Sequence, residues 1–208
     1  MKNKFLPALI MAASLMAASN SAFAQFGGLS KLAGGDSATN VTSDQVVKKY
    51  VGGAQNVMSA DAKMLGALGA KDEAAKADLS AKNLTQGATK DSVQDAAKVQ
   101  TDSSKAIETA MKNRTSEMDA KSKQQFGDGL GDLGRGVIQY VGMGPAVTNF
   151  KPSPTSIGSS TDAAIFIVKN FPDSLKALGN TLKSAIDFAK ANNIPVPKEA
   201  NDATKALP

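Results

Sequence analysis

Apolar residues recur along most of this chain in steps of three and four, the spacing that lines up one face of an α-helix. The first such seam runs Val47, Val51, Ala54, Met58, Ala62, Leu65 and Leu68. Just ahead of it, Thr42-Ser-Asp-Gln45 has the form of a capping box, in which the threonine hydroxyl and the glutamine amide answer two orphan backbone N–H groups. Gly52-Gly53 weakens the middle of this predicted helix, and Gly66 and Gly69 mark its end. A second helix, about Lys71 to Gln86, has a seam of Ala74, Ala77, Ala81 and Leu84, small side chains that permit close approach but bury little area. A third starts near Asp91, with Asp91-Ser-Val-Gln94 as its cap and a heptad-like seam of Val93, Ala97, Gln100, Ser104, Ile107, Met111, Arg114 and Met118. Three of those positions are polar, where a coiled coil would be apolar throughout. The pattern predicts either a surface member of a bundle or a long helix running beyond its core, and favours the long helix.

The second half of the chain carries the stronger apolar patterns. Lys151 to Thr161 holds two prolines among serines and reads as a loop, with Ser160-Thr-Asp162 placed to cap the next helix. Ala163 to Val168 is apolar on all sides, which predicts the buried centre of the domain. Read as a strand, Ala164 to Val168 has nothing elsewhere in the chain to pair with. Pro172 suits the first turn of a new helix, with Asp173 near its positive end. Leu175, Leu178, Leu182, Ala185, Ile186 and Ala189 then share one face, with Lys176, Lys183, Asp187 and Lys190 opposite. Asn192-Asn193 ends this helix, Pro195 and Pro197 prevent its resumption, and the tail from Lys198 has room for one short helix at most.

Between these halves lies Gly127 to Gly144, GDGLGDLGRGVIQYVGMG, which contains a literal G-x-G-x-x-G. A dinucleotide loop of that form follows a buried strand, opens a helix and has an acid about 20 residues on. Here polar, helix-forming residues precede it, and the strand and the acid are missing. Asp128 and Asp132 stand without the further oxygen ligands or tandem copies of a calcium loop. At about 100° per residue the segment instead sorts into sectors. Leu130, Leu133, Val137, Tyr140 and Val141 share one side, and Asp128, Asp132, Arg135 and Gln139 the polar side. Gly127, Gly131, Gly134 and Ile138 form a ridge between them, smooth enough for another backbone to lie against. This predicts an amphipathic, glycine-rich helix whose packing ridge meets a helix, a second subunit or a membrane.

Composition narrows the picture. Lys2 and Lys4, the apolar run Phe5 to Ala18 and Ala22-Phe-Ala24 have the order of a signal peptide, with cleavage after Ala24. The expected mature chain of 184 residues, from Gln25, has 22 basic and 19 acidic residues, a net charge of +3. Ten basic and nine acidic residues alternate between Lys71 and Lys123, a solvated mixed face rather than a stripe for nucleic acid. The chain has no cysteine and no histidine. That removes disulfides, the commonest structural zinc ligands, a lipid-anchoring cysteine, the thiol nucleophile and the commonest acid–base group. No nucleophile elbow or Ser-x-x-Lys pair is present.

These observations predict an all-α, elongated bundle of four to five helices. Residues 1–24 are a signal peptide, 25–42 a flexible leader, 43–194 the helical domain and 195–208 a C-terminal tail. The core comes from Val47 to Leu68, Leu130 to Val141, Ala163 to Phe171 and Leu175 to Ala189. The expected protein is exported, periplasmic or secreted. It is non-enzymatic, without a catalytic, cofactor or metal site, and works through a protein partner or self-association. Two alternatives remain: a carrier of an apolar, lipid-like ligand between helices, and a secreted helical protein active at a membrane surface. Nucleic acid is not an expected partner.

Overall fold

In the computed structural model, residues 41–152 and 158–208 are described, and all of their regular structure is helical. The expected signal peptide and nearly all of the expected leader fall outside these residues, as does the centre of the expected 151–161 loop. Among the described residues there are seven helices: α1 (Ser43–Leu68), α2 (Lys71–Asn83), α3 (Lys90–Lys112), α4 (Ala120–Val141), α5 (Gly144–Asn149), α6 (Ser159–Ala191) and α7 (Lys198–Ala206). The expected four to five grow by two short pieces, α5 and α7.

α1 is the axis of the fold, packed against α2, α3, α4 and α6. It starts at the predicted capping box: Thr42 Oγ1 accepts from the Gln45 N–H at 3.3 Å, and Gln45 Oε1 accepts from the Thr42 N–H at 3.0 Å. It ends at Gly69, whose φ of 87° is the left-handed conformation that glycine adopts without a Cβ penalty. Gly52-Gly53 does not interrupt it. A Cβ at Gly52 would meet nothing within 4 Å, whereas at Gly53 it would stand 3.0 Å from the Tyr140 ring. Adjacent glycines therefore have opposite reasons. Gly52→Ala should stabilise the protein by about 1 kcal/mol through helix propensity alone, and Gly53→Ala should gain less or lose. Thermal unfolding of the two variants side by side tests this.

α3 departs from its predicted form. Its cap is Thr89, which accepts from the Ser92 N–H, so the cap lies two residues before the expected Asp91. Its buried line is Val93, Ala96, Gln100, Ser103 and Ile107, a three-four repeat that shifts the predicted Ala97 and Ser104 to the flanks. The helix stops at Lys112 and lies along α1, α2 and α6, so it is a surface member of the bundle rather than a rod running beyond it. Beyond it, Arg114 turns back so that Nη1 donates to the Leu68 carbonyl at 3.4 Å, setting a cation at the negative end of α1. Met118, expected on the helix, is buried in the following loop.

α6 is one helix of 33 residues where two were expected. Pro172 lies inside it, on the exposed side, where the carbonyl it deprives of an N–H partner can turn to water. Gly158, not Ser160 to Asp162, precedes its first turn, with no side-chain cap. The all-apolar stretch is only half enclosed: Ala163, Ala164 and Ile167 are buried, while Ile165, Phe166 and Val168 are partly open at the rim of the bundle. The predicted face beyond Pro172 is buried apart from Leu175, which is partly so. The 195–208 segment is packed rather than trailing, with Ala200 and Ala203 fully buried. Large residues outside the predicted core segments, Phe126, Ile107 and Met143, complete the interior.

Candidate functional site

α4 is flanked by backbone on two sides, and glycine is the reason on both. It is capped by Asp119, whose carboxylate accepts from the Ser122 N–H at 2.7 Å. That hydrogen bond holds the carboxyl below the usual carboxylate range, so the cap contributes above the unfolded pKa and is lost as pH falls through the folded one. Toward α1, a Cβ on Gly129 would stand 2.7 Å from Met64 Cγ and 3.1 Å from the Ala60 carbonyl, and one on Gly136 would stand 2.7 Å from Val57 Cγ2. These positions, one heptad apart, let the two helices run antiparallel in contact, Gly53 facing Tyr140 and Gly129 facing Met64. Neither belongs to the predicted ridge, although a glycine on the leucine side of an amphipathic helix is a signal present in the sequence.

The predicted ridge faces another way. A Cβ on Gly127 would lie 3.5 Å from Ile194 Cγ2, and one on Gly131 would lie 3.4 Å from Pro197 Cβ. At Gly134 it would fall 2.5 Å from the Glu199 carbonyl carbon and 2.6 Å from the Ala200 nitrogen. The chain from Ile194 to Ala200 thus runs parallel to α4, and at Gly134 its peptide comes where a side chain would be. Ile138, the fourth member, is 40% exposed. The polar side of α4 ties the neighbours together: Asp132 pairs with Arg135 and with Lys63 of α1, and Arg135 reaches Glu199 of α7 at 3.3 Å. Asn56 Nδ2 donates to Gln139 Oε1 at 2.8 Å across the α1–α4 seam. Asp132 is therefore an ion-pair hub, and Asp128 stands apart on the exposed face. Among the described residues no group of three or more His, Cys, Asp or Glu is placed to hold a metal ion.

A second feature lies inside the bundle. Tyr140 is fully buried, stacks on Phe171 at 6.4 Å, meets Tyr50 edge-on at 5.9 Å and donates its hydroxyl to Gln100 Oε1 at 3.1 Å. This accounts for the glutamine in the α3 seam. The Tyr50 hydroxyl is left without a partner among the described residues, and burial pushes its pKa up to about 12. Asp61 is more unusual. It is 0% exposed, neither carboxylate oxygen has a hydrogen-bond partner among the described residues, and burial pushes its carboxyl well above the usual carboxylate range. In the sequence it sits beside Ala62, three after Met58 and four before Leu65, so the seam passes through it as readily as through its neighbour.

Among the described residues the enclosed space beside Tyr50, Tyr140, Phe166 and Phe171 is about 10 Å³, the volume of about one water. A larger space of about 690 Å³ is an open groove between the end of α6 and α7, edged by Lys190, Lys198 and Lys205. No described helix is long and apolar enough to cross a membrane. Comparison of the chain with protein families, with curated proteins and with solved structures gives no match.

Proposed function

We propose that this chain is an exported, non-enzymatic interaction protein that works through helix–helix contacts and associates with itself. The observation that carries the reading is the contact at Gly134, where one helix receives the backbone of another with no room for a side chain. A surface that excludes a Cβ selects partner geometry, and glycine in a helix interior costs about 1 kcal/mol against alanine, so a helix with five of them (Gly127, Gly129, Gly131, Gly134 and Gly136) needs close packing to offset that cost. The carrier reading asks for apolar space between helices, and a space of about 10 Å³ supports it poorly. The membrane reading asks for an exposed apolar face on the glycine helix. Most of that face is covered by α1 and α7, with Ile138 the large apolar side chain left open.

Native mass spectrometry of the protein recovered from the cell envelope, run with chemical cross-linking in place, tests the proposal. The expected result is a dimer or a defined complex whose population rises with concentration. A monomer at every concentration, with no cross-linked partner, overturns it. A lipid-sized adduct at full occupancy would move the reading to the carrier.

A further inference from the structure

Tyr50 carries a hydroxyl into the bundle that the packing described so far leaves unused. It is 4% exposed, its oxygen has no hydrogen-bond partner among the described residues, and burial pushes its pKa up to about 12, so it remains an O–H donor at neutral pH. The neighbouring Tyr140 hydroxyl gives its own proton to Gln100. A buried donor without a partner loses its hydration for no return, and such groups are nearly always answered by protein or by water. Tyr50 lines a narrow slot between α3 and α6, with Ala97 on one side and residues of the Phe166–Ser174 stretch on the other. Its free space of about 10 Å³ is that of about one water. Asn170 Nδ2 donates to the Phe166 carbonyl at 2.8 Å, which leaves Oδ1 as an acceptor, and half-buried Ser174 adds a hydroxyl to the slot. Between them stands Pro172, which has no N–H for the Val168 carbonyl, so this turn of α6 is held by one ladder bond fewer.

From this we propose that the slot is a binding site for one structural water, which accepts from Tyr50 Oη, donates to Ser174 Oγ and Asn170 Oδ1, and so fastens the proline turn of α6 to α1. Water is the ligand that the chemistry selects. The space is too small for an organic molecule, and none of the side chains lining it is charged at neutral pH, which favours neither a cation nor an anion. Tyr50, Asn170 and Ser174 supply a donor and two acceptors, within the range of about two to four partners that a buried water takes. The water's two protons and one of its lone pairs are then all used. Asn170 is exposed at the mouth of the slot, so the water exchanges with solvent there without the bundle opening. The link also gives the unpaired hydroxyl a purpose: it replaces, through α1, part of the hold that Pro172 removes from α6 itself.

The sign of one conservative substitution tests the site. Tyr50→Phe keeps the ring and its edge-on contact with Tyr140. If the hydroxyl is unpaired, the change removes a desolvated polar group and the protein melts higher. If the hydroxyl holds the water, the change breaks a hydrogen bond and the protein melts lower, by about 2 to 4 °C for a chain of this size. The lower melting point is the expected result. Ser174→Ala, which leaves Tyr50 in place, should shift it in the same direction. Amide hydrogen exchange should then accelerate about tenfold from Val168 to Lys176 in both variants, while Leu178 to Ala189 stays as protected as in wild type. A crystal structure of the wild-type protein should show one ordered water about 2.5 to 3.0 Å from Tyr50 Oη, lost in Tyr50→Phe. A dry slot in the wild-type crystal overturns the proposal, and so does a Tyr50→Phe protein that melts at or above wild type. Acceleration spread evenly along α6 overturns it too, since the water then has no particular hold on the proline turn.

Discussion

Asp61→Asn should make this protein more stable at neutral pH, an unusual direction for a fully buried substitution. The wild-type carboxyl is enclosed on α1 with no hydrogen-bond partner among the described residues, and burial holds its pKa well above the ordinary range. Between the unfolded pKa and the raised folded one, the folded state therefore keeps a proton that the unfolded chain releases. Its contribution is fully present below the unfolded pKa and is lost as pH rises toward the folded one, at up to about 1.4 kcal/mol per pH unit. Asparagine has nearly the same shape and cannot ionise. Denaturant unfolding at pH 7 should show a gain on the order of 1 kcal/mol or more. The gain should shrink steadily as pH falls and disappear below about pH 3, where the wild-type carboxyl is protonated in both states. Tyr140 is the titratable neighbour that senses this charge, and it stays neutral across the range. The Asp119 cap works in the opposite sense, its share of stability falling on the acid side, and it is common to both proteins, so it cancels in the difference. An Asp61→Asn variant that is less stable than wild type at pH 7, or a difference independent of pH, would show that Asp61 is not held protonated. Asp61→Leu separates charge from packing. It removes both unpartnered oxygens, and its pH profile should be as flat as that of the asparagine variant even where overpacking sets its absolute stability.

The all-helical class, both ends of α1 and the end of α6 were legible because the helices are amphipathic and capped by local chemistry, while α2 stops at Asn83 rather than near Gln86. The Thr42 box, the Gly69 stop and the face from Leu178 to Ala189 need only neighbours three and four residues away. What escaped depends on neighbours distant in sequence. α6 runs through Pro172, and Phe171 beside it stacks on Tyr140, a contact distant in sequence that a proline rule applied to single segments cannot anticipate. The α3 register is set by Tyr140 reaching Gln100, so a polar residue that reads as a defect in a seam is a buried partner. The C-terminal segment has little apolar area of its own and reads as a tail, yet alanine and a bare peptide are what a glycine edge accepts. Three of the four ridge residues face this segment, and Ile138 lies exposed, because the ridge follows the line of the docked chain rather than the ideal wheel.

Within that edge the glycines are not equivalent, and alanine should sort them by sign. At Gly127 and Gly131 a Cβ finds ordinary or slightly tight contact, 3.5 Å from Ile194 Cγ2 and 3.4 Å from Pro197 Cβ. Alanine there should recover up to about 1 kcal/mol of helix propensity, so both variants should melt higher than wild type. At Gly134 a Cβ falls within 2.5 to 2.6 Å of three backbone atoms of Glu199 and Ala200. Backbone cannot rotate away as a side chain does, so α7 must lift or α4 must shift. The same propensity gain is outweighed by overpacking of about 1 to 3 kcal/mol, to which the loosened Arg135–Glu199 pair adds little because it is largely exposed. The damage should also be local. α1, α3, α4 and α6 keep their contacts, so amide hydrogen exchange in Gly134→Ala should accelerate by an order of magnitude or more from Ala200 to Leu207 while Val57 to Leu65 remains protected. Gly136→Ala, whose Cβ would meet Val57 of α1 at 2.7 Å, is the contrasting case, because its loss should spread through the core. If Gly134→Ala leaves the C-terminal amides as protected as in wild type, the close contact at Glu199–Ala200 does not hold α7, and the ridge has no special claim on that segment.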